Sequence, residues 1–195
     1  LLVGSEGTLA VTTEARLNLL PIPARRGVVV LHFKELLEAI RTVPFLLEYS
    51  PSAVEVLDRY GLELAYGNPA VAALCRTFIH NDPDAILMFE LTGDSEDALR
   101  QTLSQVKQDE RIARRTFAIH EAWADSEQQA IWSVRKNALG VMLGIKGDFK
   151  PLPFVEDSSV PVEHLADYVS DIETLCRNHN RRLALYAHAS VGVIH

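Results

Sequence analysis

The sequence predicts an α+β fold of the ferredoxin-like, split βαβ type, in which an antiparallel sheet is covered by helices on one face. Short apolar runs rich in Val, Ile and Phe alternate with longer segments that place apolar residues at helical spacing. The chain has 195 residues, 48% of them hydrophobic and 23% charged, which is enough to bury a core. No repeat of fixed period and no low-complexity tract interrupts the alternation.

The first residues predict a turn that leads into a strand. The run Gly4-Ser5-Glu6-Gly7 combines two glycines with polar residues, which is typical of a tight turn. Residues 9–20 then alternate apolar and polar side chains and include several Thr and Val, a pattern that favours a strand. The prolines within residues 21–26 break this pattern, so we expect a domain boundary between residues 24 and 25.

Five strands and five helices are predicted to alternate after this boundary. The strands are short apolar runs between turn-forming residues, and they cover residues 27–33, 53–58, 85–92, 115–120 and 183–187. The helices carry apolar residues every three or four positions. They cover residues 34–47, 68–78 and 163–178, and two further segments capped by Asp94 and by Asp125 or Ser126. Pro44 is expected to kink or end the first helix.

Composition excludes several classes of protein. The chain carries 26 acidic and 19 basic residues for a net charge of -7, which argues against a nucleic-acid partner and a polybasic membrane anchor. Its apolar runs are far shorter than the roughly 20 residues of a transmembrane helix, and no signal peptide is visible. Two cysteines, Cys75 and Cys176, lie outside any C-x-x-C motif, so we expect a reducing cytoplasm. Since the chain lacks an initiator Met and ends at His195 in a β-like run, we expect a piece of a longer protein.

Two histidines follow the last predicted strand, with small residues and one glycine between them. His188 and His195 are too far apart to be neighbouring ligands on one helical turn, but a loop that folds back could bring both imidazoles onto one ion. Imidazole suits zinc, iron or manganese, and such a site needs a further ligand. The alternative is two unrelated histidines at a strand end.

Other charged residues have two interpretations each. Arg135 lies at the edge of the buried face of its predicted helix, where a guanidinium could bind a substrate carboxylate through two hydrogen bonds. A solvated helix charge is the alternative, and Lys150 is equally ambiguous. Backbone N–H groups of the glycine-flanked run could cradle a phosphate, or the run is an ordinary turn. Of the adjacent carboxylates Glu156 and Asp157, at most one is expected to face a site, because neighbours in an extended chain point to opposite sides.

Five short motifs in a fixed order resemble the FAD-linked oxidases of the vanillyl-alcohol oxidase type. They cover nearly the whole chain, and together they are far more specific than any one alone. The motifs are Gly4-Ser5-Glu6-Gly7-Thr8-Leu9, Ala53-Val54-Glu55-Val56-Leu57-Asp58, Trp132-Ser133-Val134-Arg135-Lys136, the segment 155–161 and the loop 188–195. The relatives implied are the glycolate oxidase flavoprotein subunit, the D-lactate dehydrogenases and the D-2-hydroxyglutarate dehydrogenases.

The resemblance implies a division of the chain and a set of site residues. Residues 1–24 would end an FAD-binding domain, and residues 25–195 would form the substrate or cap domain, truncated at its C-terminus. The run Gly4-Ser5-Glu6-Gly7 would line the FAD cleft, while Arg135 would hold the carboxylate of a 2-hydroxy acid with help from Lys150. His188 and His195 would bind a divalent metal or contact the substrate hydroxyl, and a later acidic residue would supply the third metal ligand.

The histidine loop departs from the family pattern at two positions. Val191 and Val193 stand where relatives carry acidic and amide residues, and this variant resembles the large members that fuse the oxidase to an iron–sulfur module. We therefore expect an electron acceptor of that kind. We also expect a homodimer, and we expect no activity from the fragment alone because most of the flavin site is missing from it. The competing hypothesis is a non-catalytic ferredoxin-like domain that senses a ligand or binds a partner. A metal hydrolase is less favoured, because no nucleophile motif or acidic third ligand is evident.

Overall fold

A computed structural model describes residues 2, 4–144, 151–153 and 155–195. Within them, the strands are β1 (Arg25–Phe33), β2 (Ala53–Asp58), β3 (Ala85–Gly93), β4 (Ala118–Ala122), β5 (Ser158–Ser159), β6 (Tyr186–His188) and β7 (Val193–Ile194). The α-helices are α1 (Leu36–Leu47), α2 (Arg59–Gly67), α3 (Pro69–Phe78), α4 (Glu96–Gln108), α5 (Glu110–Ala113), α6 (Asp125–Leu143) and α7 (Leu165–Asn178). Short 3-10 helices cover Val162–His164 and Ala189–Val191.

The described strands form one sheet in the order β4-β1-β3-β2-β6-β7-β5. Every neighbouring pair in that order is antiparallel. The centre is long, because β1 and β3 pair over nine residues, whereas the β5–β7 and β6–β7 ladders each join only two residue pairs. The predicted α+β class with an antiparallel sheet is confirmed.

Helices cover both faces of this sheet, where the sequence led us to expect one. Val29, Leu31 and Phe33 of β1 belong to a core formed with α1, α4 and α7. Val28 and Val30 belong to a second core formed with α2, α3 and α6. The reason is that residues 27–33 are buried without interruption, so alternate side chains are apolar on each side and each side needs a cover.

Local signals explain where the elements differ from the predictions. Helix α2 was not anticipated because Gly61 is a poor helix former, but the Asp58 side chain caps it by accepting a hydrogen bond from Gly61 N–H. Ser95, not Asp94, caps α4, accepting from Ala98 N–H. Helix α1 continues through Pro44 to its end at Leu47, since buried side chains on both sides of the proline hold it in place.

The segment 9–20 does not form the predicted strand. It has no strand partner among the described residues, and its large apolar side chains are exposed, with Leu20 at 92%. A strand is stable only when a neighbour takes its backbone hydrogen bonds. The strand predicted from the alternating pattern is therefore wrong for the described chain, because nothing in it pairs with this segment.

None of the described helices is long and apolar enough to cross a membrane.

Candidate functional site

The last two strands form a hairpin that brings the two predicted histidines to one face of the sheet. β6 ends at His188, a 3-10 helix follows, and β7 returns along β6 to reach His195. The main chains of Tyr186 and His195 exchange hydrogen bonds of 3.1 and 2.9 Å, so these residues lie opposite each other. Because residues two apart share a face of a strand, Tyr186, His188 and His195 all point the same way. The two imidazole centroids are 5.1 Å apart, with the rings edge to face.

Gly192 makes the return of the chain possible. Its φ of +70° is left-handed, a conformation that residues with a Cβ rarely adopt. A Cβ at this position would also collide with the carbonyl oxygen of Val160. The Gly192 carbonyl accepts a hydrogen bond of 2.9 Å from Val160 N–H, which ties the turn to the segment before α7. The one glycine between the histidines is thus required by both φ and space.

Glu55 connects the histidine hairpin to the helix that carries Arg135. It lies on β2 directly opposite His188 on β6. One carboxylate oxygen is 2.8 Å from His188 Nδ1, and the other accepts a hydrogen bond of 2.8 Å from Arg135 Nε. The Arg135 and Glu55 side chains are only 11% and 12% exposed, so this ion pair is shielded from water. Arg135 and His188, which belong to different sequence motifs, therefore share one carboxylate.

Tyr186 lies beneath the group and touches two of its members. The Arg135 guanidinium lies over the Tyr186 ring at 4.6 Å, and the His195 ring stacks on the same tyrosine at 4.8 Å between centroids. Burial, together with the nearby negative charge of Glu156, raises the pKa of the Tyr186 phenol above its usual range. Tyr186 therefore stays protonated at neutral pH, and its ring is the surface on which Arg135 and His195 pack.

Two adjacent carboxylates lie at the other side of the histidine pair. His195 Nδ1 is 2.7 Å from Glu156 Oε2 and 3.5 Å from Asp157 Oδ1. The expectation that only one of these carboxylates could face a site is wrong, because Asp157 has a left-handed φ of 54° and the chain turns there. Oxygen and nitrogen atoms of Glu156, Asp157 and His195 lie within 4.8 Å of one another, a spacing that suits a metal ion. His188 is not part of that group.

Asp58 fixes the approach of the chain to β6. Its carboxylate accepts hydrogen bonds from the backbone N–H groups of Gly61 at 2.7 Å and Leu185 at 2.9 Å. Burial raises the pKa of this carboxyl group to about 7 in spite of those hydrogen bonds. The Asp58 side chain thus joins the start of α2 to Leu185, the residue just before Tyr186. This link helps to hold β6 in place beside β2.

Two donor or acceptor atoms of the group have no partner in the part of the chain that the structure describes. They are Arg135 Nη2 and His195 Nε2, and both are buried. Buried polar atoms are normally hydrogen-bonded, so such atoms at a site call for a ligand or water. Arg135 and His195 both contact the Tyr186 ring. A guanidinium and an imidazole held in one group are chemically suited to an anion that also carries a proton donor.

The remaining predicted site residues make no hydrogen bond to this group among the described residues, or they lie outside those residues. The run Gly4-Ser5-Glu6-Gly7 forms the expected turn, in which Thr8 N–H donates to the Ser5 carbonyl at 2.8 Å. Its recorded hydrogen bonds stay within residues 2–8, and none joins it to the histidine hairpin. Lys150 is outside the described residues, and its role stays a prediction.

Sequence reasoning did not identify Glu55 or Tyr186 as members of the group. Glu55 is an acidic residue between the apolar residues Val54 and Val56 of a strand, which is a signal because a buried carboxylate needs a partner. Tyr186 precedes His188 by two positions in a predicted strand, so period-two alternation could have placed it on the same face. Which other strand would lie alongside could not be read from the sequence.

A family model and the similar proteins point to the same family. A family model described as FAD linked oxidases, C-terminal domain, matches residues 22–195. The whole chain is 32% identical over 203 residues to a D-2-hydroxyglutarate dehydrogenase of Haemophilus influenzae, of which it spans 20%. It is 25% identical over 199 residues to the glycolate oxidase subunit GlcD of Bacillus subtilis, of which it spans 39%. The resemblance stated from the sequence motifs is confirmed.

A solved structure has a similar fold. It is an alkyldihydroxyacetonephosphate synthase with a TM-score of 0.55, and the match covers 88% of this chain and 35% of that one. The sequence identity is 12%, so this likeness concerns the fold alone.

Proposed function

The chain belongs to the family of FAD linked oxidases, C-terminal domain, and from this premise we propose that the full-length protein is an FAD-dependent oxidoreductase that oxidises a small 2-hydroxy acid. The substrate class is D-lactate, glycolate or D-2-hydroxyglutarate, in keeping with the names of the similar proteins. The observation that carries the proposal is the convergence of Arg135, His188 and His195 on Glu55 and Tyr186. Within the described residues, the buried atoms Arg135 Nη2 and His195 Nε2 have no hydrogen-bond partner.

Each side chain has a distinct task in this proposal. Arg135 binds the substrate carboxylate through its terminal nitrogens, since its Nε already donates to Glu55. His188 and His195 each have Nδ1 next to a carboxylate, so Nδ1 carries the proton and Nε2 is left to act as a base or a metal ligand. An Nε2 base would accept the proton of the substrate hydroxyl.

The residues fit the two groups that the family implies. FAD would supply the hydride acceptor. Gly4 and Gly7 have left-handed φ values of 84° and 77° and open space where a Cβ would lie, which suits close approach of a phosphate-bearing cofactor. A zinc, iron or manganese ion would polarise the substrate hydroxyl. The imidazoles of His188 and His195 would be suitable ligands. Glu156 and Asp157 offer oxygen atoms within 4.8 Å of a nitrogen of His195, whereas His188 lies outside that group.

Four further parts of the proposal concern the whole protein. We assign residues 1–24 to the end of the FAD-binding domain, because the exposed apolar side chains of residues 9–22 require a partner surface. Electrons would pass to an iron–sulfur module, in keeping with Val191 and Val193 in the histidine loop. A homodimer and a cytoplasmic location complete the proposal, and the unpaired cysteines Cys75 and Cys176 agree with a reducing compartment.

The proposal is tested by purifying the full-length protein and recording its absorbance and its activity. We expect a yellow protein with flavin absorbance that reduces an artificial electron-accepting dye when D-2-hydroxyglutarate, D-lactate or glycolate is added. Bleaching of the flavin by one of these acids in the absence of dye would show direct reduction. A colourless, folded protein would contradict the proposal and favour the non-catalytic binding domain.

A further inference from the structure

We infer that Glu55 is a positioning residue that fixes the substrate-binding arginine and one catalytic histidine at the same time, an inference that rests on the proposed function. Its two carboxylate oxygens are divided between two partners. Oε1 is 2.8 Å from His188 Nδ1 and Oε2 is 2.8 Å from Arg135 Nε. No other carboxylate is recorded in a salt bridge with either partner among the described residues.

The sheet register determines where this carboxylate lies. Glu55 is paired with His188 across the β2–β6 ladder, and with Met88 across the β2–β3 ladder. Met88 belongs to the core under α6, so Glu55 points toward the helix that carries Arg135. The carboxylate is therefore placed by three adjacent strands, whereas the partners come from a helix and from the end of a short strand. A side chain on a rigid strand can therefore orient both Arg135 and His188.

Each hydrogen bond selects which atom of the partner faces the ligand. A carboxylate only accepts hydrogen bonds, so its contact with Nδ1 places the His188 proton there and leaves the lone pair on Nε2. The bond to Nε fixes the Arg135 guanidinium by one donor and leaves its terminal nitrogens for a ligand, and Nη2 is buried with no partner among the described residues. Glu55 thus sets the orientation of the proton-accepting group relative to the carboxylate-binding group without contacting the substrate.

The test compares Glu55→Gln with Glu90→Gln in the full-length flavoprotein. Glu90 is a matched control, because it lies on the neighbouring strand in register with Ala53 and Val28, and its carboxylate accepts from Ser52 at 2.7 Å. A glutamine at residue 55 can accept from only one of the two partners. We expect kcat to fall and KM to rise, each by about tenfold or more, as for other groups that orient a ligand. Glu90→Gln should leave both unchanged.

Double variants separate positioning from a general structural effect. If Glu55 acts through its partners, Glu55→Gln adds little to KM in an Arg135→Ala background and little to the fall of kcat in a His188→Ala background. Full additivity in both backgrounds, or wild-type kinetics of Glu55→Gln, would overturn the inference. If Glu55→Gln does not fold, Glu55→Asp takes its place. The shorter side chain cannot span both partners, so wild-type kinetics from it would overturn the inference equally.

A binding measurement keeps this inference distinct from the proposed function. Oxalate is a non-oxidisable carboxylate, and its Kd is measured by calorimetry on the same proteins. Weaker binding to Glu55→Gln by about tenfold, with Glu90→Gln unchanged, supports the positioning role even where no 2-hydroxy acid is oxidised. A wild-type enzyme that oxidises 2-hydroxy acids while Glu55→Gln keeps its kinetics would remove the positioning role and leave the proposed function intact.

Discussion

Histidines gather at two places on the same face of the sheet, and the two groups bind different partners. In the carboxylate-held pair, His188 and His195 each have Nδ1 next to a glutamate. In the backbone-held trio of His32, His80 and His120, His32 Nδ1 lies 3.1 Å from the carbonyl of Ala118, and His32 Nε2 accepts from His80 N–H at 3.2 Å. His80 Nε2 and His120 Nδ1 are 3.2 Å apart.

This difference separates the proposed site from a structural contact. Every ring nitrogen of His32 is engaged by the main chain, and the side chain is fully buried, so it joins β1, β4 and the end of α3. The pair instead has a buried Nε2 on His195 with no partner in the described chain. A carboxylate at Nδ1 fixes the tautomer of the imidazole and leaves Nε2 free to act as a base or a ligand. In His32, main-chain contacts occupy both ring nitrogens, so neither is available for chemistry.

The largest expected effect comes from the turn that assembles the pair. Gly192→Ala introduces a Cβ at a left-handed φ and against the Val160 carbonyl oxygen, so the hairpin cannot bring His195 back beside Tyr186. We expect loss of turnover in the full-length flavoprotein. Gly67→Ala is the control, because a Cβ there meets nothing within 4 Å. Retained turnover in Gly192→Ala would show that the pair does not need this geometry.

Removing one imidazole of the pair should affect chemistry more than cofactor binding. For His188→Ala we expect kcat to fall by about 10²- to 10⁴-fold, the range for loss of a general base, with flavin content unchanged. Steady-state kinetics and the flavin absorbance of the purified protein measure the two quantities. His179→Ala, at an exposed histidine after α7, is the control. Normal turnover in His188→Ala would exclude both the base and the metal-ligand role.

Removing the centre of the trio should affect stability and leave the pair in place. His32→Ala deletes a fully buried ring together with its main-chain contacts, and we expect the free energy of unfolding to fall by about 3 kcal/mol. Hydrogen exchange of the β1 and β4 amides measures this loss locally. If His32→Ala changed KM and kcat without changing the hydrogen exchange of the β1 and β4 amides, the trio and the pair would not be separate.

Arg135→Ala tests the anion-binding member next to the pair. We expect KM for 2-hydroxy acids to rise about thirtyfold, which corresponds to roughly 2 kcal/mol for a hydrogen bond to a charged group. The kcat should change less, because the histidines keep their own carboxylates. Initial rates over a range of D-2-hydroxyglutarate concentrations give both values. An unchanged KM would mean that the carboxylate is bound elsewhere.

Local sequence signals predicted the fold better than they predicted the site. The strand 53–58 agrees with β2, because its apolar run and flanking turn residues are local properties. The pairing of Glu55 with His188 is not local, since the two residues are 133 positions apart. The trio could not be predicted either, because His32 and His80 are 48 positions apart and no motif joins them.

Motif resemblance supplied what local patterns could not. It selected Arg135, His188 and His195 as one site, and the structure brings these three together around Glu55 and Tyr186. It did not reveal Glu55 as their connection, because the spacing of Glu55 within its own strand says nothing about partners on other elements. Strand register, which depends on the whole sheet, contains that information.

The trio should also make the free energy of unfolding depend on pH, and we expect this effect to be smaller than those of the substitutions above. Burial and the neighbouring imidazoles lower the pKa of His32 and of His120 below the ordinary 6.5. The unfolded chain therefore binds more protons as the pH falls below about 6.5, which makes the stabilisation complete above that pH and progressively lost below it. Each proton contributes a slope of at most about 1.4 kcal/mol per pH unit.

Asp58 has the opposite sign in the same pH range, so the effect must be measured as a difference. Its pKa of about 7 is raised, and the folded state therefore gains stability from this carboxyl as the pH falls through 7. Comparing the wild-type protein with His120→Gln removes one imidazole of the trio and leaves Asp58 unchanged. We expect the thermal midpoint to drop less in the variant than in the wild type between pH 7.5 and 5.5. Identical drops would mean that protonation of the trio does not limit stability, and the two histidine groups would then differ in geometry alone.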